Sequence, residues 1–249
     1  MISLNKFLFW KKTPIIEFMC HPEHEGIVTE PKPAGNYIPD WFKRLNHTID
    51  PQYAAPDHFG NEMATAKKCK PVIDAYNYGF TFTVASDVRI ISNEDCTEIQ
   101  AINPVHQLPV VEFHNAHQLG GFNAAKKNQG NAIKFINYWI IKTAPGWSTL
   151  FIPPVNNFEL PFTCFSGIVD TDCYNNQINF PAVWNVPNFN GFIKVGTPIV
   201  TVIPIRRKTF KQKSNFRVMN EDEMIKHDRF KKILQTRSSY YAEYVREKK

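Results

Sequence analysis

The chain of 249 residues carries 29 Lys and Arg against 23 Asp and Glu, which gives a formal net charge of +6. Hydrophobic residues at 43% and charged residues at 21% lie in the ordinary globular range, which excludes a wholly disordered chain. The longest apolar run, 135–141, contains an asparagine and is far shorter than the ~20 residues of a membrane span. We therefore expect a soluble protein with one large core and appendages.

The first 70 residues are rich in proline, which fixes φ and removes a backbone donor. Regular structure here should be short, and we predict that residues 1–70 wrap over the core. One helix is predicted from Pro39 to Leu45, with Trp41, Phe42 and Leu45 on its apolar face. No basic leader or small-residue cleavage site marks the N-terminus, so we predict no secretory signal.

From Pro71 the pattern changes to period two, with β-branched and aromatic residues separated by Pro, Gly and Asn. The predicted strands are 78–84, 87–91, 98–102, 110–113, 134–142, 148–152, 177–184, 192–195 and 199–205. No helical pattern separates these strands, which favours an all-β sandwich or barrel over 71–205.

The basic tail, 206–249, holds 14 Lys and Arg against 6 Asp and Glu, whereas the other residues hold 15 against 17. Asn220 and Glu223 have the spacing of a capping box, which predicts a helix from about Glu221 to Glu247, with a break near 238–239 left open. Phe230, Ile233, Leu234 and Tyr241 form one apolar stripe, which should dock on the core or pair with another subunit. Nucleic acid could contact such a tail but is not favoured, because most charged helices are solvated.

Metal and nucleophile patterns are weak. Glu112, His114 and His117 could supply a 2-His-1-carboxylate site, although surface-loop histidines are the simpler interpretation. The five cysteines are odd in number and include no C-x-x-C pair, which indicates reduced thiols in a cytosol. No cofactor is predicted, and a divalent metal is left open. The chain has no G-x-S-x-G elbow and no phosphate-binding glycine loop.

The segment 142–205 carries a P-G-W turn, the stretch S-G-I-V-D-T-D-C-Y at 166–174, and a strand ending in W-N. In this order it resembles the second half of the dUTPase and dCTP-deaminase superfamily, which implies a β-clip-like core. The resemblance places Asp170 near a water-activating aspartate and Tyr174 near a sugar-stacking tyrosine. It predicts a hairpin from Ile168 to Tyr174 beside a pocket. The candidate ligand residues are Trp147, Asp170, Asp172, Tyr174 and Trp184, with turn capping or core packing as the alternatives.

Two family features are missing. Residues 153–161 replace the R-S-G-L stretch that contacts phosphates, and the helical tail stands in place of the glycine-rich, arginine-bearing arm. A triphosphate needs convergent N–H donors and positive charge. The departures therefore disfavour hydrolysis of dUTP.

A second resemblance rests on P-K-P-A at 31–34, I-P-D-W-F-K at 38–43, K-C-K-P-V-I-D-A at 68–75 and A-P-G-W-S at 144–148. These segments look like an uncharacterised protein family found in tailed bacteriophages, with distant bacterial relatives. The resemblance implies a phage source and a place in the cytoplasm of the infected bacterium or in the virion.

Three functions are compatible with these observations. The favoured one is a non-catalytic, homo-oligomeric accessory protein that binds a nucleotide-like small molecule or a host protein, away from membranes. The second is a divergent nucleotide-processing enzyme that uses Asp170. The third is a metal-dependent oxygenase or hydrolase that uses His114 and His117.

Overall fold

The computed structural model describes residues 16–56, 60, 62–104, 108–115, 118, 131–211, 214–237 and 239–247. These residues divide into two compact units. The first is drawn from the described parts of Met1–Asp40 and Asn77–Phe210, and the second from those of Trp41–Tyr76 and Lys211–Lys249. Within the described ranges, no helix combines the length and apolarity that crossing a membrane requires.

The first unit contains the strands, and every pairing among them is antiparallel. In chain order they are β1 (Ile16–Cys20), β2 (Lys32–Pro33), β3 (Phe80–Thr83), β4 (Val88–Ser92), β5 (Ile99–Ile102), β6 (Val111–Asn115), β7 (Asn131–Phe135), β8 (Trp139–Thr143), β9 (Trp147–Ile152), β10 (Phe162–Cys164), β11 (Gly167–Val169), β12 (Phe180–Trp184), β13 (Asn190–Ile193) and β14 (Pro198–Arg206). The described part of the chain is thus mainly β, as the period-two pattern predicts.

The strands form four sheets in the described residues. Their orders are β1-β8, β10-β12-β7-β6, β11-β9-β14-β3-β2 and β13-β4-β5. In the five-stranded sheet, β14 pairs with β9 on one side and β3 on the other, so Val202 lies opposite both Phe151 and Phe80. Gly79, just before β3, has φ +87°, and a Cβ there would clash with the Val202 carbonyl oxygen. Only glycine fits this approach without strain.

The prediction of one continuous strand over 134–142 is wrong, because the chain changes sheets at Asn137. β7 belongs to the four-stranded sheet and β8 pairs with β1. The buried Asn137 side chain accepts a hydrogen bond from the Trp139 N–H (2.9 Å) and donates one to the Trp139 carbonyl (2.7 Å). Its own N–H donates to Asn179 Oδ1 at 3.0 Å. An asparagine that satisfies backbone groups in this way ends one strand before the next begins.

The apolar faces of the sheets enclose one main core. Its largest fully buried side chains include Trp184, Phe135, Ile90, Ile133 and Ile141. Trp184 lies 5.0 Å, ring to ring, from Phe189 and 6.5 Å from Phe162, and its indole N–H donates to the Val186 carbonyl at 2.7 Å. Aromatic burial of this extent makes Trp184 a major stabilising residue.

Two short strands near the N-terminus, β1 and β2, pair with other strands of the first unit. β1 pairs with β8 along its whole length, from Ile16 opposite Thr143 to Cys20 opposite Trp139. β2 extends the five-stranded sheet beside β3. The short helix predicted from Pro39 to Leu45 is present as α1 (Asp40–Arg44).

The second unit contains two further helices, α2 (Lys70–Tyr76) and α3 (Glu221–Thr236). Helix α2 is not among the predicted elements, although its Pro71 lies in the first turn, where proline costs no helical hydrogen bond. Tyr76 is buried and its ring lies 4.6 Å from Phe42. The Lys67 ammonium donates to the Phe42 and Lys43 carbonyls at 2.7 and 3.0 Å.

The tail helix begins where the sequence predicts. The Asn220 side chain accepts from the Glu223 N–H at 2.9 Å, and the Glu223 carboxylate accepts from the Asn220 N–H at 3.0 Å, which completes the capping box. α3 ends at Thr236, and a single π-helical turn, Tyr241–Val245, follows. The tail helix therefore stops at Thr236, short of the Glu247 end that the sequence predicts.

The apolar stripe of the tail is not buried. α3 contains no buried residue, although it is 16 residues long. The burial predicted for Phe230, Leu234 and Tyr241 is not found, since each is 38–39% exposed. Arg246 closes the tail against α2 by pairing with Asp74 at 2.5 and 2.9 Å.

We expect replacement of Asn220 with alanine to shorten α3, because the Glu223 N–H would lose its acceptor. The loss should be about 1 kcal/mol of helix stability. Far-UV circular dichroism during thermal unfolding measures this loss. Asn220→Asp, which keeps an acceptor oxygen, is the matched control and should retain the helix, so equal losses in both variants would contradict the capping role.

Candidate functional site

The candidate site is the aspartate turn, residues 170–174, which follows β11. The Asp170 carbonyl accepts hydrogen bonds from the Cys173 N–H (3.0 Å) and the Tyr174 N–H (2.9 Å), which closes the turn. β11 pairs with β9, and beyond the turn Gln177 bridges to Ile140 of β8. The residues before the turn therefore pair with β9, and the residues after it bridge to β8.

The hairpin predicted from Ile168 to Tyr174 is wrong. β11 lies at the edge of the five-stranded sheet, whereas the next strand, β12, lies in the four-stranded sheet. The residues before and after the turn thus pair with other strands and not with each other. The physical reason is that the two halves of the segment have different partners: β11 pairs with β9, and Gln177 bridges to Ile140 of β8.

Asp172 anchors the turn from inside. Its side chain is only 8% exposed, and it forms a two-pronged ion pair with Arg207, with Nη1 2.7 Å from Oδ1 and Nη2 bonded to Oδ2. The Gly146 N–H donates to Oδ2 at 2.9 Å. Gly146 has φ +81° in the tight turn between β8 and β9, a conformation that glycine adopts freely. Three separate chain segments thus meet at one carboxylate.

The ion pair affects the pKa values of two side chains in the turn, Asp172 and Cys173. Hydrogen bonding from the Arg207 guanidinium lowers the pKa of Asp172 well below its ordinary value, and the Gly146 N–H contributes in the same direction. The hydrogen bond to Asp172 raises the pKa of the Cys173 thiol. Because the thiolate is the nucleophilic form of cysteine, Cys173 is poorly suited to nucleophilic catalysis.

A row of hydroxyl groups supports the turn from below. Thr171 is fully buried, and its Oγ1 lies 2.8 Å from Thr143 Oγ1 and 2.7 Å from Thr149 Oγ1. Ser148, also fully buried, donates to Asp170 Oδ1 at 2.6 Å. Arg207 Nη1 donates to the Trp147 carbonyl at 2.9 Å and to Ser148 Oγ at 3.3 Å. Buried polar groups that are connected in this way hold a rigid conformation.

Asp170 is the most exposed of the ionic side chains in this network. Its side chain is 63% exposed, although Oδ1 accepts from Ser148 and lies 3.4 Å from Arg207 Nη1. Such a carboxylate can accept hydrogen bonds or pair with a cation. Ser148 itself is inaccessible, so it cannot serve as a nucleophile.

The structure brings together most of the candidate ligand residues. Trp147 is half-buried beside the turn, and the exposed Arg206 guanidinium lies 5.1 Å from its ring centre. Tyr174 is exposed at the end of the turn. Trp184, by contrast, is buried in the core at 1% exposure, which places it away from any surface ligand.

The residues that hold the turn are not among the predicted site residues. Arg207 belongs to the basic tail in sequence, Ser148 and Thr171 lie inside quoted motifs that assign them no role, and Thr149 lies in no motif. The available signal was the alternation in 147–152, which places Thr149 and Phe151 on the same face of a strand. The contact between Arg207 and Asp172 depends on pairing between distant chain segments, because the two residues are far apart in sequence.

The metal candidates contact other groups. Glu112 pairs with Lys134 at 2.7 Å across β6 and β7, and His114 Nδ1 lies 2.8 Å from Gln118 Oε1. His117 lies outside the described residues. Within the described ranges, no three His, Cys, Asp or Glu side chains are grouped to hold a metal ion.

A small cavity lies elsewhere in the first unit, lined in part by Val28, Thr29, Tyr138 and Trp139. Its volume of about 10 Å³ suits a single water molecule. The Tyr138 hydroxyl donates to the Pro109 carbonyl at 2.7 Å, and burial raises its pKa to about 12. This space is too small for a nucleobase.

Comparison of the chain with protein-family models and with curated proteins finds no match to either.

Proposed function

We propose that this chain is a non-catalytic binding protein that presents the aspartate turn to a protein partner. Because the sequence resembles a protein family found in tailed bacteriophages, we propose that the chain is a phage accessory protein. The partner would then be a host protein in the infected bacterium. We also propose that the first unit is β-clip-like, on the sequence order of 142–205.

One observation carries the binding proposal. Asp170 is exposed, yet the buried Ser148 and Thr171 and the partly buried Arg207 fix the turn that bears it. A preorganised surface group binds with a smaller loss of conformational entropy than a mobile one. The exposed Tyr174 ring adds the type of side chain that is enriched in protein interfaces.

The same contacts disfavour nucleotide hydrolysis. Both terminal Arg207 nitrogens are committed to Asp172, so the guanidinium is already occupied. The Ser148 hydroxyl is buried and donates to Asp170. Neither group is therefore placed to neutralise the charge that develops on a transferring phosphoryl group.

The test uses Asp170→Asn, which keeps an oxygen for Ser148 and removes the charge. Proteins captured from a bacterial lysate by the wild-type chain would be purified, and their dissociation constants measured. Because a hydrogen bond to a charged group contributes about 1.5–3 kcal/mol, we expect Asp170→Asn to weaken binding about 10–100-fold. Tyr174→Ala should also weaken it.

Glu94→Gln is the matched control, since it removes another exposed carboxylate from the same unit. Equal affinity of wild type and Asp170→Asn for every captured protein would overturn the proposal. Turnover of dUTP or dCTP that Asp170→Asn abolishes would show an enzyme instead.

A further inference from the structure

Strand β11 leaves one edge of the five-stranded sheet open. It is the last strand of that sheet and pairs with β9 alone among the described strands. Ile168, at its centre, is 51% exposed, and a Cβ on Gly167 would meet no atom within 4 Å. Another chain can add a strand to such an edge where the backbone N–H and C=O groups point outward.

The pairing of β9 with β14 fixes the direction of these backbone groups. The Arg207 N–H donates to the Gly146 carbonyl at 3.1 Å, one step beyond the pairing of Arg206 with Trp147. Hydrogen-bonded and non-bonded pairs alternate along antiparallel strands. The even-numbered residues of β9 therefore bond to β14, and the odd-numbered residues face β11. Pro204, which has no N–H, lies opposite an odd-numbered residue of β9, in agreement with this assignment.

The backbone of Ile168 consequently points away from the sheet. Thr149 and Phe151 pair with Val169 and Gly167, so these two residues of β11 bond to β9. The N–H and C=O of Ile168 lie between those bonds and face outward. Among the described residues, no backbone group bonds to either of them. The centre of β11 therefore offers one donor and one acceptor to another strand.

Strand β6, an edge of the four-stranded sheet, shows how this protein covers backbone groups elsewhere. The Asn103 side chain accepts from the Val110 and Val111 N–H groups at 3.0 and 3.3 Å, and donates to the Val111 carbonyl at 3.3 Å. Proteins commonly protect their edges, because an open edge pairs with other chains. Within the described ranges, β11 has no comparable side chain on Ile168, so this edge is available for binding.

The side chains along this edge define what it can bind. Residues two apart on a strand share a face, so Asp170 lies on the face of Ile168. The hydrogen bond from Ser148 to Asp170 agrees with this, since Ser148 shares its face of β9 with Leu150, which lies opposite Ile168. Ser148 and Arg207 both contact Oδ1 of Asp170, which leaves Oδ2 toward solvent. The edge thus presents an apolar side chain and, two residues later, a carboxylate.

We propose, building on the proposed function, that β11 binds an extended segment of the partner protein as an additional antiparallel strand. Because the two strands run in opposite directions, the segment has a lysine or arginine opposite Asp170 and, two residues later, a valine or isoleucine opposite Ile168. The residue opposite Ile168 exchanges two backbone hydrogen bonds with it. Pairs of opposite charge and pairs of β-branched residues are favourable across neighbouring strands.

The first test uses a library of ten-residue peptides with the central sequence lysine-threonine-valine and random flanks. Fluorescence anisotropy measures the affinity of the tightest binder for each variant. Ile168→Pro removes the outward N–H and no bond to β9, so the sheet should remain, which circular dichroism checks. It should bind about 10-fold more weakly than Ile168→Ala, which loses the side chain but keeps the N–H. Equal affinity of these two variants, or a library without a binder, would overturn the proposal.

Methylation of the peptide backbone tests the same pairing without any change to the protein. A methyl group on the valine nitrogen, which faces Ile168, should weaken binding about 10-fold. A methyl group on the threonine nitrogen is the matched control, because that N–H faces away from β11, and its effect should be much smaller. Equal effects of the two methyl groups would show that the peptide does not bind as a strand in this register.

The charge of Asp170 tests the position of the basic residue. The wild-type chain should prefer the lysine peptide over its glutamine counterpart about 10-fold, and Asp170→Asn should bind both equally. An unchanged preference in Asp170→Asn would overturn the register. If Asp170→Asn weakens the binding of captured proteins while Ile168→Pro does not, the proposed function stands and strand addition is wrong. A chain that binds no peptide but dimerises, and loses the dimer in Ile168→Pro, would assign the edge to a second copy and overturn the proposal.

Discussion

Replacement of Trp184 with alanine should destabilise the first unit more than any change at the aspartate turn. The side chain is buried, packs on two aromatic rings and satisfies its N–H through the Val186 carbonyl. Removal of a buried tryptophan typically costs about 3–5 kcal/mol, because packing is lost and a cavity remains. At about 2–4 °C per kcal/mol in a protein of this size, the melting temperature should fall by roughly 10 °C.

Trp147→Ala is the informative control for this prediction. Trp147 is half-buried at the surface, so its loss should cost less. Differential scanning calorimetry of both variants would measure the difference. If the two substitutions lowered the melting temperature equally, the assignment of Trp184 to the main core would be wrong.

Below about pH 4, the Asp172–Arg207 ion pair should lose its contribution to stability. Asp172 has a pKa that is lower in the folded state than in the unfolded state, where it is about 3.9. Folding then favours the ionised form, so the contribution is fully present above the unfolded pKa. The contribution of the ion pair to stability declines as the pH falls from the pKa of Asp172 in the unfolded state through its pKa in the folded state.

Melting temperatures measured between pH 2 and pH 8 would test this dependence against Asp172→Asn, which cannot titrate at this position. We expect a constant gap between wild type and Asp172→Asn from about pH 5 upward, and a narrowing gap below about pH 4. In Arg207→Ala the folded-state pKa of Asp172 should rise toward its unfolded value, so the loss of stability on acidification should be smaller and should be complete at a higher pH than in the wild type. If the difference in melting temperature between wild type and Asp172→Asn grew as the pH fell, the lowered pKa assigned to Asp172 would be wrong.

Local periodicity predicts most strands of the region 78–205, because alternate burial leaves a direct mark on sequence, but it does not predict β1, β2, β10 or β11. Phe80–Thr83 and Trp147–Ile152 are examples in which β-branched and aromatic residues occupy strand positions. The start of α3 was predictable for a similar reason, since Asn220 and Glu223 interact within one turn. Helix α2 was missed because Pro71 ends most helices and is tolerated only in the first turn.

The site was predictable only in part. A motif located Asp170, Asp172 and Tyr174 within one turn, and a neighbouring motif located Trp147. The rigid conformation of the turn depends on Arg207 and Ser148. Both reach the turn through the pairing of β14 with β9 and of β9 with β11. Such long-range pairing leaves little trace in one sequence. The same reason explains Trp184, because its neighbours Phe162 and Phe189 come from other segments.

The anchoring of Asp172 also bears on how the turn moves. Exposed turns often open by local fluctuations that leave the rest of a protein intact. Here the carboxylate joins Gly146, before β9, to Arg207, just after β14, so the turn cannot detach without releasing contacts at the ends of two paired strands. Its amide hydrogens should therefore exchange with solvent at rates governed by the opening of the sheet end. The exposed Asp170 therefore lies on a turn that opens only when the end of the supporting sheet opens.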